Sequence, residues 1–228
     1  AGGARKEDIV KKYGEINNWD VSKVTNMNRM FDGATFNQPL NKWNVSNVTS
    51  MEMMFLGARS FNQSLNDWNV SKVTSMWRMF ADAHSFNQPL NKWNVSNVEH
   101  MAGMFAAARS FNQPVNNWDV SKVMYMESMF NCAESFNQSL NNWNVSNVGN
   151  MDRMFWGARS FNQPLNNWDV SNVSGMECMF KGAESFNQPL NKWNVSNVED
   201  MRGMFYEASF FNQPLHAPWY WYSAYRYS

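Results

Sequence analysis

Residues 43–67 read Trp43-Asn44-Val45-Ser46-Asn47-Val48-Thr49-Ser50-Met51-Glu52-Met53-Met54-Phe55-Leu56-Gly57-Ala58-Arg59-Ser60-Phe61-Asn62-Gln63-Ser64-Leu65-Asn66-Asp67, and Trp68 starts the same pattern again. The motif Trp-[Asn/Asp]-Val-Ser opens at Trp19, Trp43, Trp68, Trp93, Trp118, Trp143, Trp168 and Trp193, first after 24 residues and then six times after 25. The missing residue lies between Phe31 and Phe36, so a surface loop is expected there. Self-similarity at this period is the signature of a solenoid. One unit cannot bury its apolar side chains alone, and stacking closes the core at ~1.5–3 kcal/mol per large side chain removed from water.

The repeat accounts for a composition high in Met, Phe and Trp. Of 18 methionines, all but Met53 and Met124 occupy two repeat positions, and of 17 phenylalanines all but Phe210 occupy two more. Eight of the 12 tryptophans are the anchor, which leaves Trp77, Trp156, Trp219 and Trp221 outside the framework. Formal net charge is zero, so no basic field exists to condense on phosphate and nucleic acid is not an expected partner. No apolar run approaches the ~20 residues that span a bilayer, so membrane insertion is not expected. The start, Ala1-Gly2-Gly3-Ala4, has no apolar signal core.

Within one repeat, Val48, Met51, Met54, Phe55 and Ala58 fall on one stripe of a helix. Ser46 is placed to cap its start, Glu99 and Glu199 complete capping boxes with Ser96 and Ser196, and Gly33, Gly57, Gly157 and Gly182 stand where it would end. The spacing predicts a helix near 47–56. Trp68 and Val70 alternate with polar neighbours, as in a short strand, while a proline at Ser64's position in six repeats marks a corner. Asn62 and Gln63 recur in every repeat, so their amides are expected to hydrogen-bond from coil to coil. The fold class is therefore an α/β solenoid of eight coils, each a short parallel strand plus a short helix, leucine-rich-repeat-like. Strands stack at ~4.8 Å and helices at ~8–10 Å, so the array should curve.

Residues 1–18 are expected to cap the first coil, with a short helix over Asp8–Gly14 whose Ile9, Val10 and Tyr13 form a lid. Residues 19–215 form the solenoid. Residues 216–228 form an aromatic tail that is either a C-terminal cap or a self-association segment through Trp219, Trp221 and Tyr222. Cys132 and Cys178 sit at different positions of different repeats and are expected to be free thiols.

Leu65, Trp68 and Val70 have a Leu-x-x-Trp-x-Val spacing that is similar to the strand signature of leucine-rich repeats. The combination of Trp-Asp-Val-Ser-x-Val at 118–123, Met-x-x-Met-Phe at 126–130 and Ser-Phe-Asn-Gln-Pro-Leu at 160–165 resembles the tandem repeats of BspA-like surface proteins. Similar repeats occur in mycoplasma lipoproteins and in algal and giant-virus proteins. The resemblance covers about residues 13–219. It implies an extracellular or cell-surface setting and adhesion, and brings no catalytic residue. The uniform framework is also what a consensus-engineered chain would have. No lipoprotein cysteine or anchor motif is found in these residues.

For chemistry, His84, His100 and His216 occupy three different repeat positions, and no nucleophile–base pair or metal-ligand spacing recurs. No catalytic, cofactor or metal site is expected. The Asn-x-Ser/Thr sequons at Asn44, Asn47, Asn62, Asn69, Asn94, Asn137, Asn144, Asn172 and Asn194 coincide with framework positions, so structural work is the expectation. The variable positions remain. On a helix they put Met53, Leu56, Trp77, Arg78, Met124, Tyr125, Arg153, Trp156 and Tyr206 outward. Exposed positions vary freely when nothing constrains them, but large apolar groups in water usually mark contacts. Two readings stay open. In one, a non-enzymatic scaffold binds a protein through this helical face. In the other, an adhesive element self-associates or takes a periodic ligand such as a glycan on the invariant Asn/Ser face.

Overall fold

The computed structural model describes residues 6–215. Its eight coils span residues 19–42, 43–67, 68–92, 93–117, 118–142, 143–167, 168–192 and 193–215. Successive coils are joined by one parallel bridge each, in the order Asn26, Ser50, Ser75, His100, Tyr125, Asn150, Gly175 and Asp200. The chain is thus a repeat solenoid, but its coils contain neither the expected helix nor the expected strand. Among the described residues the one α-helix is Lys6–Tyr13 (α1), which precedes coil one and is followed by a 3-10 turn at Ile16–Asn18.

The stretch read as a helix is a chain of tight turns. Met54, Leu56 and Ala58 donate their N–H groups to the carbonyls of Met51, Met53 and Phe55, three residues back at 3.0–3.3 Å. The alternate N–H groups leave the coil. Those of Met51, Met53, Phe55 and Gly57 reach the carbonyls of Ser75, Trp77, Met79 and Ala81 in coil three at 2.7–3.1 Å. An α-helix would keep all of these bonds to itself. Two residues per coil hold positive φ and reverse the chain so that alternate amides face outward, as Met53 (54°) with Gly57 (65°) and Gly103 (62°) with Ala107 (54°).

The helix loses on spacing. A ten-residue helix is marginal by itself and needs ~8–10 Å from its neighbour, whereas coils bonded through backbone amides sit at ~4.8 Å. The turn form satisfies the backbone at that spacing and still buries Met51, Met54, Phe55 and Ala58. With no repeat helix, the mismatch that would force curvature is also gone.

The expected strand at Trp68–Val70 fails for a local reason. The Asn69 side-chain oxygen accepts the Ser71 N–H at 3.1 Å, and Val73 N–H closes onto the Val70 carbonyl at 2.9 Å, so the chain turns. The same Asx link recurs in every coil, from Asp20–Ser22 to Asn194–Ser196. The serine therefore caps no helix, and Glu99 and Glu199 have no capping box to complete. Trp68 stays buried because its indole N–H donates back to the Leu40 carbonyl at 3.0 Å, a bond that Trp93 through Trp193 repeat one coil further each time.

Three aromatic columns fill the interior. Phe55, Phe80, Phe105 and their equivalents stack at 5.4–5.8 Å, and Phe61, Phe86 and Phe111 at 6.1 Å. Trp43 and Trp68 lie 6.4 Å apart and nearly parallel. The amide ladder holds as expected: the Asn112 side-chain oxygen accepts both the Asn137 N–H and the Gln138 amide at 3.0 Å, and the pattern continues from Asn37 to Gln213.

Near the N-terminus, Gly14 (φ 74°) ends α1 with its N–H on the Val10 carbonyl. Tyr13 meets Trp19 edge-on and stays exposed, as does Ile9. The expectations for residues 216–228, including Trp219, Trp221 and Tyr222, lie outside the described residues.

Three outcomes follow. Gly57→Ala adds a methyl that meets nothing closer than 3.6 Å, so it isolates the left-handed cost and is expected to lower stability by about 1–2 kcal/mol, while Ala107→Gly raises it, both read from urea midpoints. Asn112→Leu strands two donors and should cost about 2–4 kcal/mol, with Asn112→Asp, which keeps the acceptor, clearly milder. Hydrogen bonds from the Ser22, Ser121 and Ser171 hydroxyls, and then from their N–H groups, hold the Asp20, Asp119 and Asp169 carboxyls below the usual range. Their contribution is complete above the unfolded pKa of about 3.9 and is lost as pH falls through the lower folded values. Replacing all three by Asn, the residue of the other five coils, should flatten stability below about pH 4 and change little at neutral pH.

Candidate functional site

The variable positions of the turn segment form columns, because each coil lies in register on the last. The bridge residues make one column, and His100 and Tyr125 are consecutive members of it. Their rings lie 5.0 Å apart, and Trp77 of coil three meets His100 edge-on at 6.1 Å. Arg78 lies over the Trp77 ring at 5.5 Å. Trp77 is half-buried, whereas Tyr125 is 45% exposed and Met124 beside it 41%. The described exposed large apolar side chains other than these two are Ile9, Tyr13, Trp19, Met30 and Phe210, all in coil one, coil eight or the segment before coil one. The middle of the solenoid thus presents one such spot.

Two polar atoms at the same place have no partner: His100 Nδ1 and Glu127 Oε2 are both buried without a hydrogen bond. In coils one, two and six the residue two after the bridge position binds onward. Asn28 accepts from the Ser50 hydroxyl at 2.7 Å, Glu52 accepts from the Ser75 hydroxyl at 2.8 Å, and Asp152 accepts the Glu177 N–H at 2.7 Å. An unmade bond on a buried polar atom costs about 1–3 kcal/mol unless a ligand or water supplies it. Sequence reasoning passed over His100 and Glu127. The sequence shows only that His100 and Tyr125 share one repeat position.

The other candidates separate. Met53 is a correction: only 5% exposed, it belongs to the packed interior, because the left-handed turn at this residue tucks under coil three a side chain that a helix would point outward. Leu56 is half-buried. Arg153 is exposed but paired with Glu177 at 2.8 Å. Trp156 and Tyr206 are held in a column of their own by Lys181, whose ammonium lies 5.0 Å from one ring and 4.9 Å from the other. The structure therefore brings together Trp77, Arg78, Met124 and Tyr125 around His100, and separately Arg153, Trp156 and Tyr206 around Lys181.

The invariant face is largely occupied with the fold. Asn47 donates to the Ser22 carbonyl, Asn172 to the Ser146 carbonyl, and Lys72 to the Asn47 side chain. All nine sequon asparagines are engaged in Asx turns, the amide ladder or such coil-to-coil bonds, as with Asn44 and Asn62. Cys132 and Cys178 are free thiols, and burial first, then Glu134 and Glu177 respectively, push their pKa up. Among the described residues no group of three or more His, Cys, Asp or Glu is placed to hold a metal ion.

No curated protein matches the chain. Among solved structures it is similar to the crystal structure of a TLR13–ssRNA13 complex, at 9% identity and a TM-score of 0.28, over 67% of this chain and 27% of that one. The chain spans about a quarter of that structure's length, and so weak a likeness carries no argument about ligand or fold. A family model described as "Mycoplasma protein of unknown function, DUF285" matches residues 6–115, 88–177 and 139–224. The overlapping matches take in all eight coils, and the chain belongs to that family of repeat proteins.

Proposed function

We propose that the chain is a non-enzymatic repeat scaffold that binds a protein partner through its variable face, centred on Met124 and Tyr125 of coil five. The observation that carries this reading is the coincidence of exposure and unmet bonding. The exposed large apolar pair away from both ends sits beside two buried polar atoms with no partner. Binding surfaces combine an apolar or aromatic anchor with a few polar groups that gain partners only in the complex. Tyr125 and Trp77 supply flat rings against which a partner packs.

Two further features support a binding role over catalysis. The thiols are pushed away from the thiolate form, the opposite of an activated nucleophile. The coil-five face is also stiff, because its backbone is bonded to coil four and to coil six, which lowers the ordering cost of binding. A cell-surface setting fits the resemblance to adhesion-linked surface repeats; no helix among the described residues is long and apolar enough to cross a membrane. The glycan reading has less support, because the Asn and Ser groups of the invariant face are already bonded between coils.

A random peptide library displayed on phage and selected on the native chain provides the test. Selected peptides are expected to lose about tenfold or more in affinity for the Met124→Ser/Tyr125→Ala variant, and little for Trp156→Ala, with unchanged urea midpoints in both. Peptides that bind the coil-five variant as tightly as the native chain would remove coil five as the site.

A further inference from the structure

We propose that the two ends of the solenoid are complementary to each other and that a second copy of this chain docks head to tail, coil eight onto coil one, in the register of the interior junctions. This surface is separate from the coil-five face, and either reading can fail without the other.

The argument starts from the chemistry repeated at each interior junction. A coil sends alternate N–H groups forward to the carbonyls of the next, as Arg29 to Glu52 at 2.9 Å and Gly33 to Leu56 at 2.7 Å. It also offers its asparagine oxygen to the next coil's Asn N–H and Gln amide, as Asn37 does to Asn62 and Gln63 at 2.9 and 3.0 Å. In return the next coil sends two N–H groups backward, as Thr74 does to Thr49 at 2.9 Å and Ser85 to Arg59 at 3.2 Å.

At the ends each half of this set stands open. Among the described residues, nothing donates to the coil-one carbonyls of Asn26, Asn28 and Asp32, and the Asn37 N–H and Gln38 amide have no acceptor. In coil eight the N–H groups of Met201, Gly203 and Glu207 meet no acceptor among the described residues, and none of these donates to the Asn212 side-chain oxygen. The two open sets are the two halves of one junction: Met201, Gly203 and Glu207 are the forward donors that match Asn26, Asn28 and Asp32, and Asn212 is the acceptor that matches Asn37 and Gln38.

The apolar surface agrees. The core phenylalanines are fully covered in the middle coils but only partly at the leading end, at Phe31 and Phe36. Trp19 and Met30 are exposed in coil one, and Phe210 in coil eight is 69% exposed, at a position that holds serine in every other full-length repeat. α1 does not fill the leading end. It leaves a cavity of about 580 Å³ against coil one, lined in part by Ile9, Val10, Ile16, Trp19, Phe31 and Phe36. Docking therefore displaces a loosely seated helix and no packed core. A contact between two different surfaces of the same chain is heterologous: each copy added leaves a new open end, so the array grows into a filament, or into a ring where the rotation per copy closes it.

Bridged residues of adjacent coils lie ~4.8 Å apart, within the range that a disulfide spans. The test is the full chain with Asn26→Cys and Asp200→Cys, and with Cys132→Gly and Cys178→Gly, since other coils hold glycine at both positions. The two new thiols lie seven coils apart within one molecule, so a disulfide between them joins two copies. The proposal expects an oxidised ladder of multimers on a non-reducing gel, and for the native chain a light-scattering mass that rises at least about twofold above 26.6 kDa as concentration increases by about a hundredfold. A native chain that keeps the mass of one copy throughout, with no ladder, overturns the proposal. So does an equal ladder from Asn26→Cys paired with Gln213→Cys, which lies outside the bridge register.

Discussion

The structure depends on one constraint, the spacing at which a backbone N–H of one coil reaches a carbonyl of the next. Once that distance is set near ~4.8 Å, everything between the coils must fit it. Flat rings do. Phenylalanine and tryptophan stack face to face with one ring per layer, and identical side chains in every coil give identical layers. Methionine fills the irregular gaps between the columns, where its unbranched chain adapts. Helices do not fit, and the coils replace them with turns that export every second amide. The left-handed residues are the local cost of that arrangement. Ten non-glycine side chains in the described chain carry it, and in the interior coils bonds to neighbouring coils hold them in place.

The side-chain amides obey the same constraint. Asn112 and its equivalents act as replacement backbone: one oxygen serves two donors of the next coil at a bend where the main chain has no ladder partner to offer. From Trp68 to Trp193 each anchor tryptophan N–H does a similar job for a leucine or valine carbonyl 28 residues back. Polar groups in the invariant positions are thus largely committed to holding the stack, and the few positions that leave the pattern stand apart from that task.

The sequence made the period, the core positions and the amide ladder legible, because each depends only on which residues recur and at what interval. It misled on the conformation of the Met-rich segment. Val48, Met51, Met54, Phe55 and Ala58 have a spacing that both a helix and a run of three-residue turns bury on one side. The residues that discriminate are Gly103 and Gly203, which stand in the middle of the segment, where a helix would not favour them and a left-handed turn does. The misreading passed directly into the candidate site. A helical wheel turns Met53 outward, whereas the turn geometry packs it inside. Tyr125 and Met124 were found because they are large and irregular. His100 and Glu127 were missed because their significance lies in a bond that is not made, which only a structure can display.

The short first interval has a wider consequence. The chain tolerates a missing residue before Phe36 because it falls after Gly33, the last forward donor of its coil, whereas the same loss between Met51 and Gly57 would put the following amides of that coil opposite the wrong carbonyls. Length can therefore change freely only in whole coils, and near-identical coding segments are the natural substrate for unequal recombination. Such exchange would lengthen or shorten the array without creating a contact of a new kind. It would move the coil-five patch nearer to or farther from either end, so that copy number itself becomes a heritable setting of how far the recognition surface stands from its base.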